Sequence, residues 1–252
     1  MGEKAKKARL KVLDMIYNAQ TSHIGSNFSC IDLMAALFDR IDLDKDKFVL
    51  SAGWKAASLY YFLWEKDRIT KSELDSYCKE GSKFIGLAEP IISDIPIAGG
   101  SMGLGLPGAI GIALAKKLNS EQGKVYVLMS DGELNCGTTW ESALIASQHK
   151  LNNLVIILDY NRLQAMGKTE DILNLEPLWQ KWISFGWFVH IIDGHNFKQI
   201  ENGFNSDSEG KPKIIIAGTI KGKGVSFMMD NNDWHYRQID KESYELAAKE
   251  LR

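Results

Sequence analysis

Two apolar runs with a helix between them constrain this chain more than any other feature. Val125 to Met129 is an uninterrupted apolar run that stops at Ser130-Asp131-Gly132-Glu133. Leu154 to Leu158 is a second, and it stops at Asp159-Tyr160-Asn161. The stretch between them, from about Thr139 to Lys150, has helical spacing. Strand, helix and strand in that order make a βαβ unit, whose two strands lie parallel. The expected fold is therefore α/β, an open, mainly parallel sheet with helices on both faces. Ligands bind such sheets beyond the carboxyl ends of the strands. Asp131 and Asn161 stand at two of those ends.

A carboxylate and an amide oxygen brought together there suit a hard cation such as Mg²⁺. That ion takes oxygen ligands at roughly 2.1 Å and usually shares them with phosphates. Asp131 supplies charge and Asn161 a neutral oxygen, which leaves the metal net positive charge with which to hold a diphosphate. Ca²⁺ or Mn²⁺ would fit the same oxygen set. Gly132 lets the backbone approach the phosphates with no Cβ in the way. Taken singly, Asp-Gly is a turn and Asp-Tyr-Asn a strand-to-loop junction; the pairing on adjacent strand ends carries the metal reading.

These words resemble the thiamine-diphosphate motif, with Ser130-Asp131-Gly132 at one end and Asn161 at the other. His23-Ile24-Gly25, Leu50-Ser51, Gly100-Ser101-Met102-Gly103-Leu104-Gly105, Asp193-Gly194-His195 and Lys221 to Met228 all resemble the transketolase family, in the family's order. With His235 they span residues 23 to 235, yet match only about the first half of a full-length transketolase. The resemblance implies the amino-terminal, diphosphate-binding subunit of a split transketolase, with residues 1–252 as one domain. It implies thiamine diphosphate with Mg²⁺ on Asp131, Asn161 and the Leu163 carbonyl. Gly100, Ser101, Met102, Gly132, Glu133, Asn161, Leu163 and His235 would hold the cofactor, with His23 and His235 catalytic. A partner chain would supply the pyrimidine-binding and carboxy-terminal domains and the catalytic glutamate. The assembly implied by the resemblance is a heterotetramer, two of each chain, moving a two-carbon ketol unit between sugar phosphates.

Three positions depart from the family. Trp54 stands where a histidine usually touches the diphosphate, Leu87 where a histidine usually helps hold the donor, and Cys136 where a glutamate usually links the two active sites. A leucine side chain cannot hydrogen-bond anything, and an indole offers one N–H. These changes open two alternatives: a transketolase-like enzyme of a specialised pathway with an altered donor, or a non-catalytic scaffold for the partner chain. An NAD-binding oxidoreductase is the remaining alternative, because Gly103-Leu104-Gly105-Leu106-Pro107-Gly108 spells the dinucleotide fingerprint. That fingerprint needs a strand just before it and an acidic residue about 20 positions on. Pro96 spoils the preceding segment, and the next strand ends well beyond that distance.

The remaining chain is consistent with one large α/β domain. Helical spacing marks 4–19, 31–40, 51–64, 71–80 and 103–118, followed by 177–185, a helix capped by Asn196, and 241–252. In the first, Leu10, Leu13, Ile16 and Tyr17 form the inner face with Val12 at its edge, and Trp179 and Trp182 are expected to pack inward. Further strands are Phe48–Leu50, Phe188–Ile192 and Ile214–Ala217, the last wholly apolar as a central parallel strand should be. Hydrophobic residues make up 45% of the chain, enough for a core, and the net charge of −2 suggests no nucleic-acid partner. Cys30, Cys78 and Cys136 are odd in number and widely spaced, which fits a reducing cytoplasm rather than a disulfide framework. No signal peptide, myristoylation pattern or membrane-length apolar run is present.

Overall fold

The computed structural model describes all residues, 1–252. Five strands form the main sheet: β1 (Lys47–Leu50), β2 (Val125–Ser130), β3 (Leu154–Tyr160), β6 (Phe188–Asp193) and β7 (Lys213–Gly218). A separate antiparallel hairpin pairs β4 (Leu163–Gln164) with β5 (Gly167–Lys168). The helices are α1 (Gly2–Ala19), α2 (Ile24–Arg40), α3 (Ala56–Glu65), α4 (Lys71–Asp75) and α5 (Gly105–Leu118). They continue with α6 (Gly137–Gln148), α7 (Thr169–Ile172), α8 (Leu178–Ser184), α9 (Phe197–Asn205) and α10 (Lys241–Glu250). The main sheet runs β1-β2-β3-β7-β6, and every pair in it is parallel.

Side-chain alternation along each strand divides the apolar residues between two cores. Val125, Val127 and Met129 of β2 join Leu154, Ile156 and Leu158 of β3 against α5, α6 and α8. Tyr126 and Leu128, with Val155 and Ile157, face the other way, into a larger core built on α1, α2 and α3. The sheet is thus covered on both faces, which is why its central strands are apolar throughout. Each wholly buried Leu or Ile contributes roughly 1.5–3 kcal/mol by leaving water.

Several boundaries differ from the sequence pattern. α2 begins at Ile24 rather than at 31, and His23 stands at its N-terminus with φ 69 and no side-chain cap bond. The stretch after β1 opens as a 3₁₀ turn, Gly53–Lys55, before α3, and the helix expected over 71–80 covers only Lys71–Asp75. In α1, Val12 lies at the centre of the buried face, whereas Leu10 and Tyr17 are only partly covered. Trp182 is fully buried, but Trp179, three residues earlier, is 43% exposed. α8 has only two turns, so one tryptophan fills the core and the other falls beside it. The Asn196 cap is as expected: its side-chain oxygen accepts from the N–H groups of Lys198 and Gln199. The hairpin β4–β5 had no apolar signal to reveal it.

Candidate active site

The register Ser130↔Asp159 puts β2 and β3 side by side, so Asp131 and Asn161 leave the sheet at neighbouring strand ends. β1 ends at the same edge and turns sharply at Gly53. There the backbone is pressed against the loop that begins at Gly99: a Cβ on Gly53 would lie 2.1 Å from the Gly99 carbonyl oxygen. Only glycine permits that approach. It brings Gly100, Ser101 and Met102 against the strand ends. Lys221 and His235 arrive from the segment after β7.

Together these elements enclose a cavity of about 440 Å³. Its walls include His23, Gly100, Ser101, Met102, Asp131, Gly132, Asn161, Leu163 and His235, every site residue expected from the sequence except one. The exception is Glu133, which lies behind the wall and is 0% exposed. Neither of its carboxyl oxygens has a hydrogen-bond partner, and burial pushes its pKa up to about 8. It cannot touch a ligand in the cavity, because the 3₁₀ turn Asp131–Asn135 rotates it inward. Among the departures, Trp54 lines the cavity, and the Leu87 side chain reaches 3.4 Å from the position a Gly100 Cβ would take. Cys136 is half-buried beside Gly103.

Asp131 is almost wholly buried. Its Oδ1 accepts the Gly132 N–H at 2.9 Å and its Oδ2 accepts the Thr169 hydroxyl at 3.4 Å. Burial first, and then the nearby Asp159 charge, push its pKa up to about 7, with Lys55 acting in the opposite sense. Asn161 Oδ1 accepts the Leu163 N–H at 3.0 Å, which fixes that amide at the cavity edge. No cluster of three or more His, Cys, Asp or Glu side chains could hold a metal alone. A cation here would draw on one carboxylate, one amide, backbone carbonyl and the ligand's own oxygens, a set that suits Mg²⁺. The residues fit that ion: an isolated buried carboxyl gains most from a cation beside it. Gly132 faces open space, since a Cβ there would meet nothing closer than 3.8 Å.

Two lysines escaped the sequence reading as site residues. Lys55 is fully buried; its ammonium pairs with Asp159 and donates to the Ser26 carbonyl at 2.9 Å. Burial opposes its charge, but Asp159 and other anionic groups around it reverse this, and its pKa is raised. Lys221 donates to Asn232 Oδ1 at 2.8 Å and lies 2.7 Å from His235 Nδ1. Burial, helped by Lys55, lowers its pKa to about 8. The available signal was position: each lysine sits within five residues of a strand's carboxyl end.

The two expected histidines are brought together. The His23 N–H donates to the His235 carbonyl at 2.9 Å, and the ring centroids are 5.0 Å apart. Burial, then Lys221, lowers His23 to about 4 and His235 to about 3, so both are neutral imidazoles near pH 7. They can donate or accept hydrogen bonds but carry no charge. The cavity as a whole therefore has a charged floor, neutral polar imidazoles beside it, and apolar groups at its mouth.

Residues 2–251 match the family model described as the transketolase, thiamine diphosphate binding domain. One of the named subunits of an apulose-4-phosphate transketolase, from Phocaeicola vulgatus, is 35% identical over 258 residues, covering 98% of this chain and 92% of that protein. A 6-deoxy-6-sulfo-D-fructose transketolase subunit from a Clostridium species is 32% identical over 96% of this chain and 93% of its own length. Human transketolase is 32% identical over 98% of this chain but only 41% of its own length. The crystal structure of a Campylobacter jejuni transketolase superposes with a TM-score of 0.92 at 27% identity, covering 99% of this chain and 42% of that one. The chain thus spans about two fifths of these two transketolases, but nearly all of the two subunits.

Proposed function

The chain belongs to the transketolase family, and from that membership we propose that it is the diphosphate-anchoring subunit of a two-chain, thiamine-diphosphate-dependent transketolase. The reaction would transfer a two-carbon ketol unit from a ketose phosphate to an aldose phosphate. The observation that carries this reading is the buried Asp131 carboxyl and the Asn161 amide on adjacent strand ends of one cavity, with Gly132 open between them and the occupant.

Thiamine diphosphate, when bound, supplies the carbon–carbon bond chemistry. The chain's own residues bind and orient. Asp131, Asn161 and the Leu163 carbonyl would hold a divalent metal, with Mg²⁺ first and Ca²⁺ or Mn²⁺ as substitutes. His235 offers a neutral imidazole for the phosphate oxygens, Lys221 holds that imidazole from behind the cavity wall, and Gly100 to Met102 also line the cavity. His23, a neutral hydrogen-bonding group beside His235, would orient the donor. The catalytic glutamate, the pyrimidine-binding domain and the carboxy-terminal domain belong on the partner chain, in an assembly of two of each. The cytoplasm, where sugar phosphates are found, is the expected location. No helix is long and apolar enough to cross a membrane.

A second reading concerns the donor. Leu87 puts hydrocarbon where the family's donor-holding histidine would stand, and Trp54 puts an indole in place of a diphosphate-touching one. Two relatives are named for unusual sugars, apulose 4-phosphate and 6-deoxy-6-sulfo-D-fructose. The donor is accordingly a branched or modified ketose rather than xylulose 5-phosphate. One assay tests both readings: ketol transfer by this chain, its partner and their mixture, with thiamine diphosphate, Mg²⁺ and a donor panel. Activity confined to the mixture supports the two-chain enzyme, and a high specificity constant for xylulose 5-phosphate removes the donor reading. A chain that binds no thiamine diphosphate is a scaffold instead.

A further inference from the structure

A buried ionic cluster lies behind the cavity, and none of the roles above uses it. Arg9 of α1 grips Asp32 of α2 with both terminal nitrogens, at 3.0 and 2.6 Å. His195, just past β6, places Nδ1 2.6 Å from Asp32 Oδ2. Its other nitrogen, Nε2, accepts the backbone N–H of Ile220 at 2.9 Å. A ring nitrogen that accepts an N–H carries no proton, so the proton sits on Nδ1 and is donated to Asp32. Asp32 tolerates burial, which works against its charge, because His195 and Arg9 hold its carboxyl below the usual range.

Ile220 is the residue that makes this arrangement matter. It stands between Thr219, whose hydroxyl donates to Asp159, and Lys221, whose buried ammonium meets Asn232 and His235 behind the cavity wall. β7 has ended at Gly218, so no strand partner fixes the Ile220 N–H. The His195 ring does it instead, and so links the Arg9–Asp32 pair of α1 and α2 to the segment carrying Lys221. α2 also holds that segment through the Gly222 N–H, which donates to the Gly25 carbonyl at 2.9 Å.

We propose that His195, oriented by Asp32, is a positioning residue that holds the Thr219–Lys221 segment so that Lys221 keeps the His235 imidazole at the cavity wall; its effect on cofactor affinity rests on the diphosphate reading given above. The residue acts through its acceptor nitrogen rather than through the ion cluster. Asparagine and glutamine separate the two functions. In His195→Asn the side-chain amide can still donate to Asp32 from the Nδ1 position but offers no acceptor to Ile220. In His195→Gln a carbonyl oxygen can take the place of Nε2.

The test titrates the full-length chain and both variants with thiamine diphosphate and Mg²⁺ by tryptophan fluorescence, beside melting temperatures and ring ¹⁵N shifts of the histidines in the free chain. The expected result is a free-chain His195 signal with the proton on Nδ1. Affinity falls about tenfold in His195→Asn, the value of one backbone hydrogen bond, and stays within about threefold of the parent in His195→Gln. The His235 Nδ1 shift, which reports Lys221, moves in His195→Asn and stays in His195→Gln. The proposal is overturned by a His195 proton on Nε2, by a His195→Asn chain that matches the parent in affinity and His235 shift, or by a His195→Gln chain that loses as much as His195→Asn. If the parent binds no thiamine diphosphate at all, the diphosphate reading fails by itself, and the His235 shifts in the two variants still decide the positioning role.

Discussion

The floor and the mouth of the cavity are built in different ways. On the floor, Asp131, Asn161 and Lys55 are buried, and each makes named hydrogen bonds within the chain. At the mouth, Met166 is 82% exposed and Tyr236 63%, with Met102 and Leu87 also open to solvent. The floor presents fixed charge and fixed dipoles, which is what a metal diphosphate needs from a preorganised site. The mouth mixes exposed apolar side chains with polar ones, among them Ser101, Gln164 and Tyr236. Anchoring and donor choice are therefore separable in this molecule: one wall can change its chemistry while the other keeps its own.

The largest expected effect lies on the floor. Asp131→Ala removes the only carboxylate that lines the cavity, and thiamine diphosphate binding in Mg²⁺ is expected to fall at least about a hundredfold. Calorimetry measures it, and the loss should persist when Mn²⁺ replaces Mg²⁺. Next in size is Lys221→Met, which removes the ammonium that holds the His235 ring at the cavity wall and should cost about tenfold in affinity. Thiamine without its phosphates should bind both chains alike, which distinguishes lost charge from general damage.

A smaller effect follows from the lowered pKa of Lys221. Its ammonium is complete below about pH 8 and lost as pH rises through that value. Affinity for the diphosphate should therefore weaken by up to about tenfold between pH 7 and pH 9, and Lys221→Met should flatten that profile. The smallest expected effect on anchoring comes from the mouth. Leu87→His should leave cofactor affinity within about threefold while shifting the ratio of specificity constants between ordinary and modified ketose donors by about tenfold. Loss of cofactor affinity in Leu87→His as great as in Lys221→Met would break the distinction between the two walls.

Much of the floor could be read from the residue order. Apolar runs that end abruptly give the strands, parallel pairing gives the shared edge, and the edge gives the meeting of Asp131 with Asn161. His23 and His235, far apart in sequence, came from family resemblance, and the structure brings both to the cavity. Glu133 was misplaced because a 3₁₀ turn, unlike an extended strand end, sends successive side chains in directions that periodicity does not reveal. Lys55 and Lys221 were missed as site groups because lysine is ordinarily a surface residue. Only the tertiary fold supplies Asp159 for one and Asn232 for the other. The bond from Ile220 to His195 was beyond reach for the same reason: a backbone N–H has no signature in sequence.

The most direct test of the account is a calorimetric titration of the purified chain with thiamine diphosphate, with and without Mg²⁺, beside Asp131→Ala. One cofactor per chain, bound only with the divalent metal and lost in the variant, is the expected result. Binding that ignores both the metal and Asp131, or no binding under any condition, would contradict it.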